Sequence, residues 1–136
     1  MLIKNIYMNK STILKTFNSH LIEFINEVVK LMPEDLDLQT AATFMEGLKK
    51  INPRLVITTW NNWVVAEYRT EIEKGDFAFF EDKDYGRDMV GSKQEQKILQ
   101  VIERIREDVR GMGDNNKQKS LKYMQNLTKL ADIYFS

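Results

Sequence analysis

The sequence predicts an all-α protein, a single compact bundle of five or six helices that occupies residues 1–136. Apolar residues recur at intervals of three and four along most of the chain, which places them on one face of a helix. Helix-starting and helix-breaking residues separate these stretches. The hydrophobic fraction of 43% is sufficient for a core, and no long linker or internal repeat divides the chain.

The first predicted helix follows Ser11, whose hydroxyl is suited to cap a helix N-terminus, and it stops before Pro33. Its apolar residues are spaced by three and four: Leu14, Phe17, Leu21, Phe24, Val28 and Leu31. This stripe indicates ordinary core packing, with a short coiled-coil seam as the alternative. Residues 1–10 are predicted to be a flexible lead-in.

A second helix is predicted from Asp37, which is another residue type that caps helices. Its apolar residues are Ala41, Phe44, Met45, Leu48 and Ile51. Gly47 lies inside this helix and weakens it by up to about 1 kcal/mol relative to alanine. Because glycine has no side chain, we expect Gly47 to allow the close approach of another helix.

Asn52-Pro53 is the sharpest helix start in the chain, because Asn suits the cap and Pro suits the first helical position. The third helix is predicted to run for about 20 residues to Gly75, since glycine readily takes the left-handed conformation that ends helices. Its apolar face carries Val56, Trp60, Trp63, Val64 and Ile72. Asp76 is then expected to cap a short turn that holds three phenylalanines, Phe77, Phe79 and Phe80.

Two further helices are predicted after a loop from Glu81 to Gly91. Ser92 and Glu95 have the spacing of a capping box, and apolar residues follow at Ile98, Val101, Ile102, Ile105 and Val109. The outer, solvent-facing side is predicted to hold Glu103, Arg104, Arg106, Glu107, Asp108 and Arg110. A break at residues 111–114 precedes the last helix, whose apolar residues are Leu121, Met124, Leu127, Leu130, Ala131 and Tyr134.

Composition narrows the classes of function. The 20 basic and 20 acidic residues balance, with +1 over residues 1–66, −4 over 67–88 and +3 over 89–136. This distribution favours oriented contacts over bulk attraction to nucleic acid. The chain has no cysteine, which excludes disulfides and thiolate metal sites. No apolar run approaches the roughly 20 residues of a membrane helix, and the start lacks a signal-peptide pattern, so we expect an intracellular protein that does not contact membranes.

Catalytic and metal-binding patterns are weak. His20 is the single histidine, and one imidazole without a positioned partner is poor support for acid–base chemistry. Asp82, Asp84 and Asp88 resemble a calcium loop, but Gly86 stands where a ligand is required and no Glu stands at the twelfth position. Nucleophile elbows, P-loops and metalloprotease motifs are missing. The sequence therefore predicts no enzyme activity, no small-molecule substrate, no cofactor and no metal.

The stretch from Asn52 to Tyr85 is rich in aromatic residues, which are enriched at protein interfaces. The predicted partner-binding residues are Trp60, Trp63, Phe77, Phe79, Phe80 and Tyr85. The alternative is that these rings close the core at the end of the bundle. A protein partner, including a second copy of the chain, is favoured over nucleic acid.

Lys119, Lys122 and Lys129 share one side of the last predicted helix, with Tyr123 nearby. Such a basic face with an aromatic residue is suited to contact phosphates, so it is the predicted nucleic-acid-binding site. The competing interpretation is a solvated face, because the chain as a whole is neutral and acidic residues intervene.

The motifs along the chain are, in order, Phe17-Asn18 with His20, Pro33 before an acidic turn, Asn52-Pro53, Glu71-Ile72-Glu73-Lys74-Gly75-Asp76, Phe79-Phe80, Lys83-Asp84-Tyr85 and Tyr123-Met124-Gln125-Asn126-Leu127-Thr128-Lys129-Leu130. This pattern covers most of the chain and resembles a group of small uncharacterised proteins encoded by nucleocytoplasmic large double-stranded DNA viruses of algae and protists. The resemblance implies a virion, assembly or replication-factory protein in the host cytoplasm, the virus factory or the virion. The predicted function is therefore a non-enzymatic helical interaction protein, a viral structural or assembly component, with a nucleic-acid-associated protein as the alternative.

Overall fold

Six helices make up the described part of the computed structural model, which covers residues 9–82 and 91–136. They are α1, Lys10–Leu31; α2, Leu36–Ile51; α3, which is continuous through Pro53–Thr59, Trp60–Val65 and Ala66–Lys74; α4, Ala78–Glu81; α5, Lys93–Arg110; and α6, Asp114–Tyr134. These two ranges contain no strand, so the predicted all-α fold class is confirmed.

Both of the first two helices begin earlier than the sequence predicts. Asn9 caps α1, because its side-chain oxygen accepts a hydrogen bond from the Thr12 N–H at 2.8 Å, and Ser11 lies inside the helix. Asp35 caps α2 in the same way, with the Leu38 N–H at 3.1 Å. The predicted caps were wrong by two residues, since an Asn or Asp two positions earlier offers an equally good acceptor. Lys10, placed in the predicted lead-in, is the first residue of α1.

The limits of α3 agree with the prediction, whereas its middle does not. Pro53 is its first residue, and its carbonyl accepts a hydrogen bond from Asn18 of α1 at 3.0 Å. Gly75 ends it with φ 76°, and the Asp76 N–H reaches back to the Glu71 carbonyl at 2.9 Å. Residues 60–65 form a π-helical segment, with wider turns than the α-helix that the apolar spacing predicts.

The core receives buried residues from all six helices. Phe17 of α1 and Trp60 of α3 meet edge to face with ring centroids 6.0 Å apart, and both are at most 1% exposed. Aromatic contacts of this kind add about 0.5–1.5 kcal/mol beyond the burial itself. The largest side chains at its centre are Trp60, Arg106, Phe17, Phe24, Phe79 and Phe80. One arginine is therefore among the most deeply buried residues.

Gly47 does not bring another helix close. It is exposed on α2, and a Cβ atom added there would meet no described atom within 4 Å. The expectation that another helix approaches α2 closely at Gly47 is therefore wrong, because the α2 surface at this position faces open space. Gly47 only weakens the helix in which it lies.

Candidate functional site

The structure divides the aromatic residues that were predicted to contact a partner. Trp60, Phe79 and Phe80 are at most 1% exposed and lie in the core, so a partner has no access to these three rings in the folded chain. Trp63 and Phe77 are half-buried at the edge of the core. Tyr85 falls outside the described residues. Partner contact by Trp63 and Phe77 remains a prediction.

Two arginines of α5 hold the C-terminal end of the short helix α4. Arg106 Nε donates to the Phe79 carbonyl at 2.7 Å, and Arg106 Nη2 donates to the Asp82 carbonyl at 2.9 Å. Arg110 Nε donates to the Phe80 carbonyl at 2.8 Å. The last carbonyls of a helix have no partner within the helix, so these guanidinium groups take that place. We call this arrangement the arginine clamp.

Arg106 of the arginine clamp is buried among aromatic rings, which contradicts its predicted position on the solvent-facing side of α5. Its side chain is 2% exposed, and its guanidinium carbon lies 4.7 Å from the centre of the Phe79 ring. Tyr68 donates to Asp82 Oδ2 at 2.6 Å and accepts from Arg106 at 3.1 Å. Burial, and then the contact with Asp82, raise the pKa of Tyr68 to about 12. The phenol therefore stays protonated, and the cluster works as a structural anchor.

A second buried polar cluster joins the start of α2 to α5. Arg104 Nε donates to Asp35 Oδ2 at 2.7 Å, and this bond holds the pKa of Asp35 down, at about 2. Asp108 is 8% exposed, which contradicts its predicted place on the outer face. Burial, and then its hydrogen-bonding contact with Asp35, raise the pKa of Asp108 to about 7. Arg104 thus stabilises the ionised form of Asp35, whereas burial favours the neutral acid form of Asp108.

Helices α1 and α6 lie side by side and antiparallel, and a groove runs between them. The Lys10 Nζ atom lies 5.4 Å from the centre of the Tyr134 ring. Farther along α1, His20 lies opposite Asn126 of α6. Leu31 and Asn116 line the end of the groove that is farthest from Lys10. The open volume is about 430 Å³. We call this feature the α1–α6 groove.

Stacked aromatic side chains form the floor of the α1–α6 groove. The rings of Phe24 and Tyr123 are 4.9 Å apart and nearly parallel, at 7°. The His20 ring lies 4.8 Å from Tyr123. Burial, and then the charges of Glu23 and Glu27, raise the pKa of Tyr123. At the far end Leu31 is 48% exposed, so the groove opens onto an apolar side chain.

The two edges of the groove carry opposite charges. Glu23 and Glu27 form an acidic rim on α1, and Lys119 and Lys122 form a basic rim on α6. Glu23 lies 3.4 Å from His20, and Glu27 lies 3.2 Å from Lys30, which are contacts within α1. The two carboxylate side chains are 60% and 48% exposed, so these contacts contribute little to stability and are readily exchanged.

The predicted basic residues are partly brought together. Lys119 and Lys122 line one edge of the groove with Tyr123, as expected from their positions on one helix. Lys129 is exposed on the same helix but does not line the groove. The acidic rim escaped the sequence analysis because nothing in the sequence shows that α1 and α6 are neighbours. The feature of the sequence that could have indicated this rim is the spacing of Glu23 and Glu27, which lie four residues apart and therefore on one side of the helix, beside the apolar stripe.

Comparisons with protein-family models, curated proteins and solved structures yield no significant match to this chain. Among residues 9–82 and 91–136, none of the helices is both long and apolar enough to cross a bilayer. Within those same ranges, histidine and carboxylate side chains nowhere form a group of three or more that could hold a metal ion. The α1–α6 groove is the candidate functional site.

Proposed function

We propose that this chain is a helical interaction protein that binds a macromolecular partner along the α1–α6 groove and transforms no substrate. The observation that carries the proposal is the groove itself, which combines an aromatic floor with two exposed rims of opposite charge. Binding sites for proteins commonly have an apolar centre and a polar, charged edge. The α1–α6 groove has this composition.

The polar chemistry elsewhere supports this proposal, because the buried ionisable groups serve the fold. The arginine clamp fixes α4, and the Asp35–Arg104 pair fixes the start of α2. In contrast, the charged groups of the groove rims point into solvent, where they are accessible to a partner. Charged residues at a rim steer association and set its specificity.

We extend the proposal to the setting in which the protein works. The resemblance of its motifs to small proteins of large DNA viruses supports a structural or assembly role in the host cytoplasm, the virus factory or the virion. A groove along two helices presents a long, regular surface on which another helix or protein can bind. Such a surface suits a structural or assembly role, in which a protein contacts other proteins.

Site-specific photo-cross-linking tests the proposed function. A photoreactive phenylalanine analogue replaces Lys122 in the basic rim, and the matched control carries the analogue at Lys50, an exposed lysine of α2. We expect covalent adducts from position 122 in cells that produce the full chain, and far fewer from position 50. Equal adducts from both positions, or turnover of a substrate that depends on a polar side chain, would refute the proposal. Mass spectrometry of the adducts identifies the partner.

Nucleic acid is the second candidate partner, because Lys119, Lys122 and Tyr123 line the same groove. Lysines contact phosphates, and aromatic rings stack on bases. The acidic rim on the opposite edge repels phosphates, which makes this candidate the weaker one. It predicts salt-sensitive binding of a fluorescent oligonucleotide that weakens in Lys119→Glu and Lys122→Glu but not in Lys50→Glu. No binding at low salt would eliminate this candidate.

A further inference from the structure

We infer that the partner of the α1–α6 groove is a second copy of this chain, bound about a two-fold axis parallel to α1 and α6. This inference rests on the proposed function and names its partner. It follows from the register of the charges along the groove and from the aromatic floor between them.

The charges of the two rims stand level with one another. His20 of α1 lies opposite Asn126, and Phe24 lies opposite Tyr123, so positions facing each other in the antiparallel pair have residue numbers that add to nearly the same value. By this register Glu23 is level with Lys122, and Glu27 is level with Lys119. The acidic and basic rims therefore carry their charges at matching heights.

A two-fold axis lying along the groove exchanges left and right but keeps the height. It places the acidic rim of one copy against the basic rim of the other, so that Glu23 meets the second copy's Lys122 without any slip. The same residues meet twice in such an isologous interface. A two-fold axis across the groove would instead oppose like charges. The charge pattern thus selects one of the two arrangements.

The apolar groups of the groove fit the same arrangement. Two antiparallel helices from each copy form a four-helix bundle, in which side chains from all four helices fill the centre. Tyr123, which stacks on the buried Phe24 ring, and Leu31 would supply that centre, and the 48% exposed Leu31 side chain would become covered. The carboxylates of Glu23 and Glu27 would exchange their contacts within α1 for the lysines of the second copy.

The size of the helix pair limits the area of the interface. α1 has 22 residues, which corresponds to a length of about 33 Å, and two adjacent helices are about 20 Å wide. Contact along the whole length of α1 would cover at most about 660 Å² on each copy, which is below the roughly 800 Å² per partner of a stable interface. Because much of this contact area is polar, we expect a dissociation constant in the range of about 1 to 100 µM.

Charge reversal tests the inference through two double variants of the full chain. Glu23→Lys with Glu27→Lys makes both rims basic, and Lys119→Glu with Lys122→Glu makes both rims acidic. Lys50→Glu with Arg54→Glu is the control, since it removes two exposed positive charges away from the groove. Far-ultraviolet circular dichroism establishes that each variant is folded.

Sedimentation equilibrium from about 1 to about 500 µM measures the association. We expect the parent and the control to approach twice the 16.0 kDa chain mass, with at least about tenfold weaker association at about 500 mM salt. Each rim variant should remain monomeric alone, and an equimolar mixture of the two should form a heterodimer.

A parent chain that stays monomeric throughout, or folded rim variants that dimerise like the parent, would overturn the second copy as partner. A monomeric parent combined with cross-links from position 122 to another molecule would leave the proposed function standing. Adducts that do not favour position 122 would remove the proposed function, whatever the sedimentation shows.

Discussion

Asp108→Asn should remove a pH-dependent weakness from the folded chain. The pKa of Asp108 rises from 3.8 to about 7, because its carboxyl is buried and contacts Asp35. A carboxyl with a higher pKa in the folded state stabilises the fold while it is protonated, and this contribution is lost as the pH rises from about 4 to about 7. Three pKa units correspond to about 4 kcal/mol, which is the largest loss we expect.

Asparagine resembles the protonated acid in size, and its amide group can donate to Asp35. We therefore expect Asp108→Asn to exceed the parent by up to about 4 kcal/mol at about pH 8 and by less than half of that at about pH 5, where most of the contribution of the protonated acid is still present. Urea unfolding at both pH values, followed by tryptophan fluorescence, measures the difference as a midpoint shift of up to about 2 M. Asp35 works in the opposite direction, since its pKa of about 2 makes its stabilisation disappear only in strong acid.

The control for this prediction is Glu107→Gln, which removes the same charge at the adjacent, exposed position of α5. Its free energy of unfolding should stay within about 0.5 kcal/mol of the parent at both pH values. The reasoning fails if the parent loses no more stability than Asp108→Asn between the two pH values, or if Glu107→Gln reproduces the effect.

Three further changes test other parts of the fold by urea or thermal unfolding. Arg106→Met should lower the free energy of unfolding by about 3–5 kcal/mol, because it leaves buried carbonyls at the end of α4 without donors. The exposed control Arg54→Met should lower it by less than about 0.5 kcal/mol, and equal losses would refute the role of the arginine clamp. Gly47→Ala should stabilise the folded chain by up to about 1 kcal/mol. Gly75→Ala should destabilise it by about 1–2 kcal/mol, since φ is 76° at this position. Changes in stability of the same sign in the two variants would contradict this reasoning. Asn9→Ala should cost about 1 kcal/mol and Ser11→Ala almost nothing, and the reverse order would restore Ser11 as the cap.

Local signals in the sequence located most helix boundaries. Pro53 and Gly75 delimit α3 as predicted, although the Asn52 side chain makes no capping hydrogen bond, and the Ser92–Glu95 capping box opens α5. These features depend on residues within one turn of the helix end, so the sequence contains all the information they need. The π-helical segment at residues 60–65 has no comparable local signature, and apolar spacing alone did not distinguish it from an α-helix.

Burial of charged residues could not be predicted because it depends on distant parts of the chain. Arg106 lies three residues from Val109 and four from Ile102, at the edge of the apolar face of α5. It is buried only because the carbonyls of α4 accept its hydrogen bonds. The α1–α6 groove has the same origin. Lys119 and Lys122 were recognised as a pair on one helix, whereas their opposition to Glu23 and Glu27 required the packing of two helices about 100 residues apart.

The arginine clamp constrains the order in which the helices can fold during synthesis. A helix of four residues cannot nucleate alone, so α4 acquires its shape only when α5 is present. Phe79 leaves the ribosome 27 residues before Arg106, an interval of about 1 to 5 seconds at ordinary rates of synthesis. During that interval Phe79 and Phe80, which are buried in the folded protein, remain exposed because α5 is not yet present to pack against them. The nascent chain is thus most susceptible to chaperones, proteases and its own neighbours just before the fifth helix emerges.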